Sequence, residues 1–270
     1  MDWSPILEEC AQRVRREALP FFNTQNADIS FGRGAGGDTM KKIDLIAEKA
    51  IVETLEEREA SVILISEETG TKKIGDAPHR HYLTTDPIDG TTNAIRGIPF
   101  IATSLAISKV PYLQDVETAL VSDLFHDVTY TASREKGAFK NGSRIEPSAT
   151  SSLERAVMGV DLKAFRTMEL VKRLGRVLEK TKHLRHLGAN AIEICYVADG
   201  STDAFIDLRG KLRVTDVAAA YLILREAGGI MVAPDGEEMN VPLTATQRVS
   251  FIAVANKAMY KIIRESIDSR

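Results

Sequence analysis

Cysteine is scarce in this chain: 270 residues hold only Cys10 and Cys195. Both fall on apolar positions with no metal-like spacing, so they read as buried thiols of a reducing compartment. A charge excess of one sign is missing as well. Lys and Arg number 35 against 38 Asp and Glu, a formal net charge of −3, which gives no general pull toward nucleic acid or an anionic membrane. Only 6% of residues are aromatic, and neither a basic stripe nor a stacking pattern accompanies them. No apolar run approaches the roughly 18 to 20 residues of a membrane-spanning helix. The opening MDWSPILEECAQRVRRE lacks the basic, apolar and small-residue order of a signal peptide. Internal repeats, low-complexity tracts and long linkers are missing too. His79, His81, His126, His183 and His186 are scattered without ligand spacing and read as surface or structural residues. What remains is ordinary globular usage, 44% apolar and 27% charged, at a length that suits one large domain or two small ones. The composition predicts a cytoplasmic, soluble, mixed α/β protein.

A first helix is predicted from Ser4, with Pro5 at its first position, Glu8 and Glu9 near its positive end, and Ile6, Cys10, Val14 and Ala18 on one face. A second runs from about Met40 to Glu57, with Ile43, Ile46, Ala47, Ala50, Ile51 and Leu55 on one face. Short β-branched or apolar segments follow at 62–65, 82–85, 101–107, 116–121 and 128–131, parted by turn residues. After Pro147 the rhythm changes. Segments 157–160, 184–187, 204–206, 230–233 and 251–254 alternate with helical patterns at 167–179, 190–198, 215–227 and 257–267. That alternation argues for a largely parallel sheet in the second half, whereas the first half reads as α+β. A soft boundary near residue 150 divides 1–150 from 151–270, the two halves sharing one body.

Gly32, Gly34 and Gly37 in FGRGAGGD match G-x-G-x-x-G, but the preceding NADISF is a poor buried strand and no βαβ unit starts there. The segment reads as a flexible surface loop, able to move over a site. The informative feature is the set of carboxylates at strand ends. Glu67-Glu68 follows the apolar VILIS, and Asp86-Pro87-Ile88-Asp89-Gly90-Thr91-Thr92-Asn93 follows YLTT. Asp216 opens an amphipathic helix. Taken alone, Asp216 would be a helix cap and Glu67-Glu68 a solvated turn. DPIDGTTN is different. Pro87 restrains Asp86 to an extended conformation, Gly90 permits close backbone approach, and Thr91 adds a hydroxyl beside exposed amides. Crowded carboxylates repel one another, and a hard divalent cation such as Mg²⁺ relieves the repulsion. Eight residues thus offer metal ligands together with a phosphate cradle.

On these residues the chain resembles the inositol monophosphatase family, a branch of the lithium-sensitive phosphatase superfamily that also contains fructose-1,6-bisphosphatases. The likeness runs from the first helix to the last. GDTMKKIDLIAEKAI, REKGAFKNG, RHLGANAIEICYVADGSTDAFIDLRGKLRVTD and EAGG are similar to its archaeal type, whose members often hydrolyse both inositol phosphates and fructose 1,6-bisphosphate. Many relatives carry Trp before the last metal aspartate, and this chain has Thr215. The resemblance implies a layered α-β-α-β-α sandwich, with a mainly antiparallel sheet and helices in the N-terminal half and a mainly parallel sheet flanked by helices in the C-terminal half.

It also implies roles. Glu67, Asp86 and the Ile88 carbonyl would hold a first Mg²⁺, and Asp86, Asp89 and Asp216 a second, with Asp86 bridging. A third, weaker ion would sit near Glu67, supported by Glu68. Asp44, off the apolar stripe of the second helix, would pair with Thr91 to orient and activate the attacking water. Two metals can stabilise the entering and leaving oxygens of an in-line displacement, and amides at Gly90 and Thr91 would bind phosphate oxygens if they open a helix. No Ser or Cys nucleophile is required. Asp89, Gly90 and Thr91 would meet the scissile phosphate, and Arg185, Asn190 and Arg209 the distal part of the substrate. Arg209 belongs to the basic stretch Leu208–Arg213, which without the resemblance reads as a solvated turn.

The expected protein is therefore a Mg²⁺-dependent phosphatase of inositol 1-phosphate and fructose 1,6-bisphosphate. The resemblance makes it a homodimer, and the charge balance and composition predict no nucleic-acid or membrane partner. The alternatives are a phosphatase of 3′-phosphoadenosine 5′-phosphate or NADP and, from another class, a catalytically silent metal-binding interaction module. The full set of motif ligands, with Asp44 and Thr91 intact, argues against the silent module.

Overall fold

The computed structural model describes residues 2–162 and 167–268, and its layering follows from which faces of the elements are apolar. Helix α1 (Ser4–Ala18) buries Ile6, Leu7, Cys10, Ala11, Val14 and Ala18, and α2 (Lys42–Glu57) buries Ile43, Ala47, Ala50, Ile51 and Leu55. Between them an antiparallel ribbon, β1 (Ser30–Arg33) with β2 (Thr39–Lys41), carries the glycine loop. The two helices pack together over one face of an eight-stranded sheet. That sheet contains β3 (Val62–Ser66), β4 (Gly70–Ile74), β5 (Tyr82–Asp89), β6 (Ala102–Ser108), β7 (Val116–Asp123), β8 (Val128–Ser133), β9 (Gly137–Lys140) and β10 (Ser143–Arg144). Its order is β10-β9-β8-β7-β6-β5-β3-β4, antiparallel throughout except where β3 lies parallel to β5. The short helix α3 (Thr91–Arg96) follows β5.

The second half runs β11 (Val157–Asp161), α4 (Thr167–Lys180), β12 (His183–Arg185), α5 (Asn190–Ala198), β13 (Ala204–Arg213), α6 (Val214–Ala227), β14 (Ile230–Val232), β15 (Arg248–Val254) and α7 (Lys257–Asp268). Its sheet has the order β12-β11-β13-β15-β14. The parallel expectation holds for β12-β11-β13, whereas β13, β15 and β14 pair antiparallel. Periodicity reports which face of a strand is buried but not the direction in which it runs, so this half of the sheet was not legible.

Helices α5 and α6 lie between the two sheets. From Val214 to Leu224 every residue of α6 is buried, as expected of a helix packed on opposite sides. One apolar cluster joins these helices to strands of both sheets, so the core crosses the boundary near residue 150. On the outer face of the second sheet α4 and α7 close the structure around Leu170, Leu174, Val177, Met259 and Ile263. The five layers are those of an α-β-α-β-α sandwich. Two elements begin elsewhere than the sequence pattern suggests. The second helix starts at Lys42 rather than Met40, because Thr39–Lys41 is extended and pairs with β1. The strand predicted at 184–187 is His183–Arg185, and the chain then turns through Gly188 at φ 85°.

Candidate active site

The site forms where strand ends of the large sheet meet the start of α6. Since β3 and β5 run parallel with Ser66 opposite Thr85, Glu67, just past the end of β3, and Asp86, the next residue of β5, come out at the same end of the sheet. Glu48 of α2 fixes the turn after β3. It accepts the Ser66 and Thr69 hydroxyls, the Thr69 amide at 3.2 Å and the Lys72 ammonium at 3.1 Å. Asp216, in the first turn of α6, closes the group. One oxygen each from Glu67, Asp86 and Asp216 can be chosen so that all lie within 4.8 Å of one another.

Burial is the first cause of the site's electrostatics. It pushes the Glu67 and Asp86 carboxyls well above the ordinary carboxylate range, and the negative charge of their neighbours adds to the shift. Asp89 and Glu68 are each pushed up to about 8, again by burial first. Asp216 is raised by burial against the opposing pull of Arg213. Removing carboxylates from water without compensating charge is unfavourable, and hard oxygen donors converging at this spacing suit a divalent cation. The donor set fits a metal.

Two further carboxylates tie the site to its surroundings. Asp44 accepts the Thr91 hydroxyl at 2.9 Å and the Lys41 amide at 3.0 Å, and burial pushes it up to about 6. Asp89 accepts the first amides of α5, Asn190 at 3.0 Å and Ala191 at 2.6 Å, across 101 and 102 positions of sequence. The charge thereby caps α5 and joins the halves of the chain. Gly90 sits at φ 93° as α3 begins at Thr91, and a Cβ there would lie 3.0 Å from the Phe100 carbonyl, so glycine is required. Thr215, where many relatives carry Trp, is buried and donates its hydroxyl to Asp216 at 3.0 Å.

The glycine loop is docked rather than free. Ala35 and Gly36 donate their amides at 2.8 Å to the carbonyls of Glu68 and Glu67. On its other side the loop meets Arg213, which pairs with Asp38 and reaches Glu67 Oε1 at 2.5 Å. Arg213 stands three positions before Asp216, whose carboxylate accepts the Arg213 amide at 3.1 Å and caps α6.

A cleft of about 870 Å³ opens over these groups. Of the residues singled out from the sequence, Asp44, Glu67, Glu68, Asp86, Ile88, Asp89, Gly90, Thr91, Asn190, Arg209 and Asp216 line it. Arg185 does not; it is exposed on β12, while His186, read as surface or structural, does line the cleft. Arg209 differs from the open cation expected of it. Its guanidinium lies 2.6 Å from Asp207 and 2.5 Å from Asp161, and only 12% of the side chain is exposed, so both partners already neutralise it. Lys211 and Arg248, which sequence reasoning passed over, also line the cleft. Among the described residues the Lys211 ammonium has no ion-pair partner, whereas Arg248 donates to the Gly36 and Lys211 carbonyls. The missed Arg213 had one signal in the sequence, the i, i+3 spacing to Asp216 that suits a helix start.

Comparison with known proteins follows the same lines. A family model described as the inositol monophosphatase family matches residues 7–269. A fructose-1,6-bisphosphatase/inositol-1-monophosphatase of Methanothermobacter thermautotrophicus is 35% identical over 98% of this chain and 96% of its own. A bifunctional NADP phosphatase/NAD kinase of Methanococcus maripaludis is 31% identical over 97% of this chain but only 48% of its own. A crystal structure titled inositol monophosphatase–fructose 1,6-bisphosphatase superposes with a TM-score of 0.86 at 30% identity, covering 98% of this chain and 99% of that one.

Proposed function

The chain belongs to the inositol monophosphatase family and is a phosphoric monoester hydrolase of sugar phosphates, and within that class we propose a Mg²⁺-dependent enzyme hydrolysing inositol 1-phosphate and fructose 1,6-bisphosphate. The observation that carries this reading is the triad of Glu67 with the buried Asp86 and Asp216, beside the Thr91–Asp44 pair. Glu67, Asp86 and the Ile88 carbonyl would hold one cation, and Asp86, Asp89 and Asp216 another, with Glu67 and Glu68 available to a third. Bound divalent cations would neutralise phosphoryl charge and make water a better nucleophile at neutral pH.

The remaining work falls to the chain. Thr91, with its proton donated to Asp44, keeps oxygen lone pairs toward the cleft and so orients the attacking water as acceptor. Asp44, with its carboxyl near 6, is placed to take the proton passed through that hydroxyl. Asp89, held by the α5 amides, keeps its place with little side-chain freedom to lose. At the distal end Lys211 is the cation available to a second phosphate, because Arg209 is already paired with Asp161 and Asp207. The cleft volume suits a small phosphorylated sugar.

The homodimer implied by the family resemblance and the cytoplasmic location expected from the composition belong to the same reading. No described helix is long and apolar enough to cross a membrane. The second reading, an NADP phosphatase, draws on the likeness to the Methanococcus maripaludis protein. Phosphate release measured on inositol 1-phosphate, fructose 1,6-bisphosphate, NADP and 3′-phosphoadenosine 5′-phosphate, with and without Mg²⁺, tests both. Mg²⁺-dependent turnover confined to the nucleotides would overturn the sugar-phosphate reading.

A further inference from the structure

Arg213 occupies a position that hydrolysis, as set out above, leaves without a task. Its side chain is only 7% exposed, yet it stands at the rim of the carboxylate group. One end of the guanidinium holds Glu67 Oε1 at 2.5 Å, with Asp216 Oδ2 4.0 Å away. The other end pairs with Asp38, and Nε donates to the Gly36 carbonyl at 3.3 Å. A Cβ on Gly36 would fall inside contact distance of Arg213 Nε, so a side chain there displaces the guanidinium. The glycine loop and one of the proposed metal ligands therefore share a single guanidinium.

We propose that Arg213 is a positioning residue that competes with a divalent cation for Glu67 and thereby couples cation binding to the docking of the Gly34–Asp38 loop. This rests on the metal-site reading above. Glu67 cannot give its charge fully to both, and two cations at this separation repel in a partly desolvated site. Filling the carboxylate group therefore weakens the hold of Glu67 on Arg213 and removes one anchor of the loop. Arg248, which also donates to the Gly36 carbonyl, keeps a second anchor in place, so the loop loosens without unfolding. Coupling of this kind is reciprocal: whatever frees the loop from Arg213 must change cation affinity, and the reverse.

The experiment is a Mg²⁺ titration by calorimetry together with hydrogen exchange at the Ala35 and Gly36 amides of the full chain, neither of which reads activity. In wild type these amides are protected in chelator and exchange faster once Mg²⁺ saturates. Arg213→Gln removes the competitor, so Mg²⁺ binds about tenfold more tightly, the scale of one charge-assisted hydrogen bond. Its loop amides exchange fast with or without the ion. Arg213→Lys keeps a competing charge but cannot span Glu67, Asp38 and the Gly36 carbonyl together. It therefore gives a Mg²⁺ affinity and a loop protection that both lie between those of wild type and Arg213→Gln, a paired shift that a merely structural ion pair would not produce. Gly36→Ala alters no charge and crowds the guanidinium out of place. It loosens the loop and shifts affinity in the same direction as Arg213→Gln, and it carries the test if that variant does not fold. Equal Mg²⁺ affinity in wild type and Arg213→Gln, or loop amides indifferent to Mg²⁺ in wild type, overturns the coupling. Failure of wild type to bind Mg²⁺ at all overturns the metal-site reading, and the coupling with it.

Discussion

Thr91 donates its hydroxyl to Asp44 across 2.9 Å, joining the first residue of α3 to the first turn of α2 over 47 positions of sequence. Neither side chain belongs to the triad of Glu67, Asp86 and Asp216. In the proposed mechanism proton handling and ion binding therefore fall to different residues and can be separated by substitution.

Thr91→Ala should leave Mg²⁺ affinity within about twofold of wild type and lower kcat by about 10²- to 10⁴-fold, the usual scale of general acid–base assistance. Calorimetry on the variant checks the first part and steady-state kinetics the second. Loss of Mg²⁺ binding with turnover at saturating ion preserved would contradict this division.

In chelator, the protein should become less stable as pH rises from about 4 to about 8. Glu67, Glu68, Asp86 and Asp89 are all raised by burial, the second and fourth to about 8. The folded state then binds more protons than the unfolded chain across that window, so each rise in pH favours unfolding. Below the ordinary carboxylate values the contribution is fully present, and that of Glu68 and Asp89 is lost as pH rises through about 8. A cation that binds only the folded state should restore about 2.7 kcal/mol at one hundred times its Kd. Melting curves from pH 4 to 8, with chelator and with Mg²⁺, measure both effects; a Tm in chelator that climbs with pH would refute the account.

Asp216→Asn should fold. An asparagine oxygen can still accept the Arg213 amide that Asp216 now accepts at 3.1 Å, so the cap on α6 survives. Turnover should fall by at least about 10²-fold, because the site loses a charged oxygen donor. Near-normal turnover at limiting Mg²⁺ would reduce Asp216 to a helix cap.

Arg209→Ala and Lys211→Ala should part company. Removing Arg209 strips a buried partner from Asp207 and Asp161, so stability should drop by about 3 kcal/mol and both substrates should suffer alike. Removing the exposed Lys211 should spare stability and lower kcat/KM for fructose 1,6-bisphosphate about tenfold more than for inositol 1-phosphate. Denaturant unfolding and kinetics on both substrates give the comparison, and a substrate-selective loss in Arg209→Ala would reverse the assignment.

Much of this was written in local sequence. The stripes of α1 and α2 follow from apolar residues one turn apart, and DPIDGTTN carries its extended entry, its glycine turn and its hydroxyl in eight consecutive positions. What escaped reading depends on long-range approach. Arg213 looked like part of a solvated basic stretch, since nothing nearby in sequence shows that Gly36, 177 positions earlier, packs against it. Arg209 looked open for the same reason, because Asp161 arrives from the end of a different strand. Asp89 shows the opposite case: its local motif was plain, but its bond to the start of α5 belongs to the tertiary fold alone.

The placement of α6 has a consequence for turnover. The helix that carries Asp216 is gripped between two sheets, and one apolar core runs through it from β6 to β15. Among the described residues that shared core leaves no seam along which two lobes can swing apart, as hinged kinases do. Substrate must enter and phosphate must leave through the open front of the cleft. The body can then be stiffened with little loss of speed: a cross-link between the two sheets should leave catalysis untouched, whereas one that pins the glycine loop should slow each cycle.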